Sequence, residues 1–249
     1  MQQTTKTIPS RCSTDTEGLE KPSPSTTENG SSKVASVAQG LGEGKSINFE
    51  KCLSFLDQKG KAQFGQHFTI NPADYEIIYK LLVYAFKHEP SAKKYNINLQ
   101  KGILLSGPVG CGKTTLMYLI NHFQSEKFRH IMKPSREVGY EFIKDGYETI
   151  HKYSTNAFNK KGVETWHRTY CFDDLGTENN LKYYGNECNV MAEILLSRYE
   201  LFVHNHMITH ITTNLSATEI ETCYGNRVRS RMREMFNLIS FTQTTKDKR

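Results

Sequence analysis

The sequence has 249 residues, of which 37% are hydrophobic, and a net charge of +6. This length and hydrophobic content suffice for one sizeable core and exclude a fully disordered chain. No stretch approaches the roughly 18 apolar residues of a membrane span, and residues 1–8 lack the apolar run of a secretory signal, so we expect no membrane partner. Six scattered cysteines without a C-x-x-C pair predict reduced thiols and a cytoplasmic location.

The first 46 residues differ in composition from the rest of the chain. Ser, Thr, Gly and Pro occupy 23 of these 46 positions, and all 27 aromatic residues lie after them. A segment without aromatic residues has little with which to build a core. We therefore predict a disordered tail over residues 1–46, whose glycine-rich part is a flexible linker, and one globular domain over residues 47–249.

Beyond the tail, apolar patterns predict strands and helices in alternation. A helical spacing begins at Asn71-Pro72 and ends at Pro90. Short apolar runs predict five strands, at residues 102–106, 129–133, 169–172, 207–212 and 238–241. The helical patterns between them lie at residues 113–123, in two pieces within 136–168, and at 186–202, 216–223 and 226–235. This alternation predicts an α/β fold with a parallel sheet covered on both faces.

Residues 107–114, Gly-Pro-Val-Gly-Cys-Gly-Lys-Thr, match the phosphate-loop motif G-x-x-x-x-G-K-[ST] in full. A predicted strand precedes the motif and a predicted helix follows it, as the motif requires; a chance glycine-rich turn is the alternative. In such a loop, backbone N–H groups and the helix dipole face the phosphates, Lys113 reaches the β- and γ-phosphates, and Thr114 ligates Mg²⁺. The predicted nucleotide-binding residues are Gly107, Pro108, Val109, Gly110, Cys111, Gly112, Lys113, Thr114 and Thr115.

An acidic pair, Asp173-Asp174, ends the third predicted strand. In a nucleotide site, Asp173 would hold Mg²⁺ together with Thr114. Asp174 would orient and polarise the attacking water, because hydrolysis of a phosphoanhydride depends on positioning rather than on covalent chemistry. The alternative is an ordinary turn, Asp-Asp-Leu-Gly, at the end of a strand. Together with the phosphate loop, the pair predicts a site that binds a nucleotide with Mg²⁺ and hydrolyses its phosphoanhydride.

Two features in the last third of the chain are candidate parts of the same site. Asn214 follows the fourth predicted strand, where it would hydrogen-bond the γ-phosphate or its water, or else cap the next turn. Arg227, Arg229, Arg231 and Arg233 fall within seven residues, and in a helix Arg227 and Arg231 share one face. One interpretation is an arginine supplied to a neighbouring subunit's phosphates. The other is a solvated or DNA-facing basic helix.

Over roughly residues 70–241 the chain resembles the DnaC/IstB branch of AAA+ ATPases. It carries four motifs in the expected order: the phosphate loop, Asp-Asp-Leu-Gly from residue 173, Thr-Asn at 213–214, and Gly-x-Arg-Val-x-x-Arg-Met from residue 225. The residues carried over by this resemblance are the Walker A pair Lys113 and Thr114, the Walker B pair Asp173 and Asp174, the sensor 1 residue Asn214, and the arginine finger Arg231 with its companion Arg227.

The resemblance implies a P-loop NTPase fold of the AAA+ (ASCE) type, with five parallel strands in the order 5-1-4-3-2 flanked by helices. It also implies a replicative helicase loader or transposition helper that acts on DNA as a homo-oligomer, with a helicase or transposase as partner. Two departures imply slow hydrolysis. The acidic pair is Asp-Asp where many AAA+ proteins have Asp-Glu, and about eight residues after the last predicted strand leave no room for a helical lid.

Residues 133–168 carry basic side chains among aromatic ones, which suits phosphate contact and base stacking on single-stranded DNA. Acidic residues in the same segment make a mixed solvated surface an equal alternative. Three function classes remain: an ATPase associated with DNA, a nucleotide-dependent protein-binding switch with little hydrolysis, and a small P-loop phosphotransferase. The motifs favour the first, because a phosphotransferase needs a lid and an acceptor site that the sequence does not indicate.

Overall fold

The computed structural model describes residues 46–178, 181–183, 186–242, 245 and 247–248. The predicted tail, residues 1–46, lies outside the described residues except for its exposed last residue, Ser46. The helices are α1 (Phe49–Phe64), α2 (Tyr75–Ala85), α3 (Glu89–Lys94), α4 (Lys113–Ile120), α5 (Ser135–Asp145), α6 (Glu148–Tyr153), α7 (Val190–Asn205) and α8 (Ala217–Met235). The strands are β1 (Gly102–Ser106), β2 (Ile131–Pro134), β3 (Phe158–Lys161), β4 (Glu164–His167), β5 (Tyr170–Leu175), β6 (Leu181–Tyr183), β7 (Asn186–Cys188), β8 (Thr209–Thr213) and β9 (Phe236–Ser240).

Five strands form one parallel sheet in the order β2-β5-β8-β1-β9. Counted along the chain as strands one to five and read from the β9 edge, this order is 5-1-4-3-2, so the predicted P-loop NTPase order is confirmed. The remaining strands form two antiparallel ribbons, β3 with β4 and β6 with β7.

The sheet separates two hydrophobic cores, because successive side chains of a strand point to opposite faces. Ile103 and Leu105 of β1 pack in one core with α1, α2 and α4. Leu104, which lies between them in sequence, packs in the other core with helices α5 to α8. Both faces are therefore covered by helices, as expected for a parallel sheet.

The segment between β2 and β5 is only partly helical. The two helical pieces predicted within residues 136–168 correspond to α5 and α6, but the antiparallel hairpin of β3 and β4 follows them. Gly162 turns this hairpin with a φ of +60°, a left-handed conformation that glycine adopts without steric cost. Two four-residue strands are too short to give a readable alternation.

Several helix boundaries differ from the prediction. The helix predicted to end at Pro90 ends at Ala85. Pro90 instead lies in the first turn of α3, where backbone N–H groups make no hydrogen bond within the helix, so that a proline is tolerated. Helix α7 begins at Val190 rather than at residue 186, because the Asn189 side chain caps it by accepting a hydrogen bond from a backbone N–H in its first turn. The two short helices predicted within residues 216–235 form α8, which is interrupted at Gly225 (φ +83°, ψ 160°).

The carboxyl ends of the parallel strands meet at one edge of the sheet, where ligands of open α/β sheets bind. The phosphate loop follows β1, the acidic pair lies in the last part of β5, and Asn214 follows β8. After β9, residues 241–242, 245 and 247–248 contain no helix. None of the helices within the described ranges is long and apolar enough to span a membrane.

Candidate nucleotide-binding site

The loop between β1 and α4 encloses the side chain of Lys113. Its ammonium donates hydrogen bonds to the carbonyl oxygens of Gly107 and Pro108, both at 2.9 Å, and the residue is 5% exposed. Gly110 (φ +77°) and Gly112 (φ +97°) are left-handed, a conformation that other residues rarely adopt. Gly112 is also the N-cap of α4, so the positive end of the helix dipole and the lysine charge lie together. This arrangement suits an anion such as a phosphate.

A β-bulge near the end of β5 determines how the two aspartates are oriented. At this bulge, Asp173 and Asp174 together lie opposite the single residue Thr212 of β8. In a regular strand, two consecutive side chains would point to opposite faces of the sheet. With the bulge, Asp173 is buried and contacts the phosphate-loop residue Thr114, while Asp174 is exposed and lines the adjoining cleft. Asp174 has a φ of +52°, a region in which Asp and Asn are enriched among non-glycine residues.

Two threonine hydroxyls hold the Asp173 carboxylate. Thr114 Oγ1 donates to it at 2.9 and 3.1 Å, and Thr212 Oγ1 donates to Asp173 Oδ1 at 2.6 Å. Burial raises the pKa of Asp173, while the hydrogen bonds from Thr212 and Thr114 oppose that rise. Thr212 Oγ1 also accepts the backbone N–H of Asp174 at 2.9 Å. Thr212 therefore positions both aspartates. Thr212 was not predicted as a site residue from the sequence, although it lies only two positions before the predicted site residue Asn214.

The oxygen atoms of Thr114 and Asp173 fit a magnesium ion. A hydroxyl and a carboxylate are the hard oxygen ligands that Mg²⁺ takes at nucleotide sites, where phosphates and waters complete its coordination. The two side chains already touch. A divalent cation at this point would favour the ionised form of Asp173, whose pKa burial raises.

A cleft of about 830 Å³ extends from the phosphate loop towards the first two helices. Its lining contains polar and charged side chains, among them those of Lys113, Thr114, Asp174 and the exposed residue Asn214. It also contains apolar side chains that were not predicted as site residues from the sequence, those of Phe64, Phe68, Ile70 and Ile78. A cleft of this size, lined by both charged and apolar side chains, suits an organic molecule that carries phosphates.

Most of the predicted nucleotide-binding residues lie at this cleft. Those that line it are Val109, Gly110, Cys111, Gly112, Lys113, Thr114 and Thr115. Gly107 and Pro108 contribute the carbonyl oxygens that hold the Lys113 ammonium. Cys111 is fully buried, and burial raises the pKa of its thiol, so the thiol form dominates near neutral pH.

The predicted arginines lie elsewhere on the same subunit. Arg227 and Arg231 are on α8, and neither is among the described residues that line the cleft. Arg227 is exposed. Arg231 stacks on the Tyr199 ring at 4.3 Å from its centroid, donates to the Tyr199 hydroxyl at 3.0 Å, and contacts Glu234 Oε1 at 3.3 Å. Tyr199 and Glu234 thus hold the Arg231 side chain at the surface.

The basic and aromatic segment 133–168 carries mixed charge. Lys133 pairs with Glu137 and Glu141 at 2.8 Å each, and Lys152 pairs with Glu141 at 2.7 Å. One face of α5 nevertheless exposes the aromatic and apolar side chains of Tyr140 and Ile143 between the exposed basic residues Arg136 and Lys144, and the exposed Tyr147 follows just after the helix. The segment therefore combines paired surface charges with one basic and aromatic face.

Comparisons with known proteins find similarity at the level of structure. No protein-family model matches the chain, and no curated protein matches it. One similar solved structure is the DnaC helicase loader, with 19% sequence identity and a TM-score of 0.48, covering 73% of this chain and 97% of that chain. A second is a proposed primosome component from Streptococcus pyogenes serotype M3, with 19% identity and a TM-score of 0.47, covering 71% of this chain and 83% of that chain. A third is DnaI, with 18% identity and a TM-score of 0.44, covering 71% of this chain and 89% of that chain.

Proposed function

We propose that residues 47–249 form an ATPase domain of the DnaC/IstB type, which binds MgATP, hydrolyses it slowly and acts on DNA in the cytoplasm as a helicase loader or mobile-element helper. The observation that carries this proposal is the convergence of Lys113, the Thr114–Asp173 pair and Asp174 around one cleft. These residues belong to two motifs, and Thr114 and Asp173 lie 59 residues apart in the sequence. We infer that their meeting at the carboxyl edge of the sheet provides the groups that phosphoanhydride hydrolysis needs.

The cleft has a place for each part of the nucleotide. The phosphates would lie at the loop, where the N–H groups, the α4 dipole and the Lys113 charge converge. The base would lie beside the apolar side chains of Phe64, Phe68 and Ile70. Thr114 and Asp173 would hold Mg²⁺, which supplies charge neutralisation at the phosphate oxygens when it is bound.

The hydrolytic step falls to Asp174 and Asn214. Asp174 is exposed at the cleft and would orient the attacking water and accept its proton, while Asn214 would hydrogen-bond the γ-phosphate or that water. An aspartate reaches one methylene less far than the glutamate of many AAA+ proteins. We therefore propose that turnover is slow, and that an oligomer and a bound partner raise it.

Turnover of MgATP with and without single-stranded DNA tests the proposed function. We expect a slow basal rate that DNA raises several-fold, with a stimulation that falls as the salt concentration rises. The double variant R136A/K144A removes the basic residues of the exposed α5 face and should lose the stimulation while keeping the basal rate. Turnover that DNA leaves unchanged contradicts the DNA role. MgATP binding without turnover indicates the switch instead, and turnover that requires a second small-molecule acceptor indicates a phosphotransferase.

A shared active site predicts that Arg231→Ala binds MgATP normally and loses turnover. Arginines supplied across an interface are worth on the order of 10³–10⁵ in rate in GTPases, and we expect at least a tenfold loss in this slower site. Mixing Arg231→Ala with Lys113→Ala should restore part of the activity, because the first variant brings an intact phosphate loop and the second an intact arginine. The steady-state rate of the mixture, measured over a range of protein concentrations, checks this expectation.

The matched control for this experiment is Arg229→Ala. Arg229 lies on the same helix and pairs with Glu221 at 2.8 Å, but it is not one of the arginines that the motif resemblance places at the nucleotide site. Its loss should therefore leave turnover close to that of the wild type. The recovery in the mixture should increase with protein concentration, as assembly does. A mixture that stays inactive while the wild type assembles and hydrolyses shows that Arg231 does not act across an interface.

A further inference from the structure

A short stretch beyond β9 returns to the phosphate loop. The backbone N–H of Lys248 donates to the carbonyl oxygen of Gly110 at 3.1 Å, and its ammonium donates to the carbonyl oxygen of Cys111 at 2.7 Å. The same ammonium forms an ion pair with Asp74 Oδ2 at 2.5 Å and lies 5.0 Å from the centroid of the Phe241 ring. Lys248 thus joins the phosphate loop to the residues just before α2, and it lines the same cleft as Lys113.

Asp74 places a buried negative charge in the wall of this cleft. The residue is 6% exposed, ends the short 3-10 turn Pro72–Asp74 and precedes α2. A buried carboxylate that loses its partner is strongly unfavourable. A carboxylate near the phosphate site would also repel the phosphates of a nucleotide. The ammonium of Lys248 offsets this charge where it lies, between Asp74 and the loop.

Lys248 also contacts two carbonyl groups of the phosphate loop. It binds the carbonyl oxygens of Gly110 and Cys111, and in a planar peptide unit the C=O points away from the N–H of the following residue. The N–H that follows the Gly110 carbonyl, that of Cys111, donates to the Pro108 carbonyl oxygen at 3.4 Å. The contact of Lys248 with the Cys111 carbonyl oxygen therefore turns the next N–H, that of Gly112, away from Lys248.

We propose that Lys248 is a positioning residue of the nucleotide site: its ammonium, held at the phosphate loop by the Cys111 carbonyl oxygen, neutralises Asp74 and thereby raises the affinity for MgATP. This inference rests on the proposed function, since it concerns the binding of a nucleotide triphosphate in the same cleft. It assigns a role to the ion pair of Lys248 with Asp74, two residues that are 174 positions apart. Neither of them belongs to the phosphate-loop motif.

Four variants of the full chain test the proposal through the dissociation constant of a fluorescent ATP analogue with Mg²⁺. Lys248→Met should weaken binding at least about tenfold, the effect of an unpaired like charge roughly 10 Å away at an effective dielectric constant of about 20. Lys248→Arg should retain most of the affinity. Asp74→Asn alone should bind at least as well as the wild type, and D74N/K248M should recover most of what Lys248→Met loses, because both charges are then absent.

The rescue separates positioning by charge from a general loss of structure, which removal of a second side chain would not repair. Lys93→Met, which changes an exposed lysine of α3, is the matched control and should bind like the wild type. Binding by Lys248→Met within twofold of the wild type overturns the inference, and so does a double variant that binds as weakly as Lys248→Met. A wild type that binds no nucleotide at all overturns the proposed function first.

Discussion

Replacing Lys113 by alanine is expected to lower the affinity for MgATP at least about 100-fold, because charge-assisted hydrogen bonds to the phosphates are among the strongest that a site offers. The fold should survive the change. The ammonium of Lys113 bonds to the carbonyl oxygens of its own loop and contributes charge rather than apolar contact to the core. Titration with a fluorescent ATP analogue measures the affinity, and the thermal unfolding midpoint without nucleotide reports on the fold.

The control for this variant is Lys93→Ala, which removes the same charge from an exposed position on α3 and should leave binding unchanged. A Lys113→Ala protein that unfolds cooperatively near the wild-type temperature, yet binds MgATP within threefold of the wild type, contradicts the assignment of the phosphate loop. Equal losses in both variants point to net charge rather than to Lys113 itself.

Asp174→Asn is expected to bind MgATP within about threefold of the wild type and to lose at least about 100-fold in turnover, the usual range for a group that takes up a proton in the transition state. Asparagine keeps the shape of aspartate and also tolerates a positive φ, which is +52° at this position. The backbone N–H that donates to Thr212 Oγ1 is retained. Single-turnover hydrolysis and nucleotide titration on the same protein separate the chemical step from binding.

Asp145→Asn provides the matched control, since it removes one exposed carboxylate at the end of α5 and should change neither quantity. The result that contradicts the role of Asp174 is a loss of affinity as large as that of Lys113→Ala. Unchanged turnover contradicts it equally. In the first case Asp174 contributes to binding, and in the second the attacking water is oriented by another group.

The sequence by itself was sufficient to predict the strands of the sheet and the parts of the site that lie in continuous motifs. The five runs predicted as strands overlap all five strands of the central sheet. Burial along nearly the whole strand, which favours apolar residues, holds for the inner strands β1, β5 and β8, whereas the edge strands β2 and β9 are partly exposed. The phosphate loop was readable because its glycines, lysine and threonine act within eight consecutive residues. The order of the strands was expected from the motif resemblance alone and is confirmed by the strand pairing.

Helix α1 was not predicted, and neither was the part of the cleft that it helps to form. Phe64, at the end of α1, and Ile70, just beyond it, line the cleft beside residues of the phosphate loop. The local sequence spacing does not distinguish an apolar side chain that packs in the core from one that lines a ligand site, because the two kinds of position show the same apolar pattern. Only the docking of α1 on α4, which the core residues of both helices bring about, gives these side chains their place.

Tertiary structure alone decided the contacts between distant residues. The bulge that lets Asp173 and Asp174 share one site depends on how β5 pairs with β8, and the bond from Thr212 to Asp173 joins positions 39 residues apart. The pair of Lys248 and Asp74 spans almost the whole described chain. Periodicity and motifs are local properties of a sequence, whereas such contacts depend on the paths of every element between the two residues. The sequence therefore determined which chemistry is present, and the fold determined which groups carry it out together.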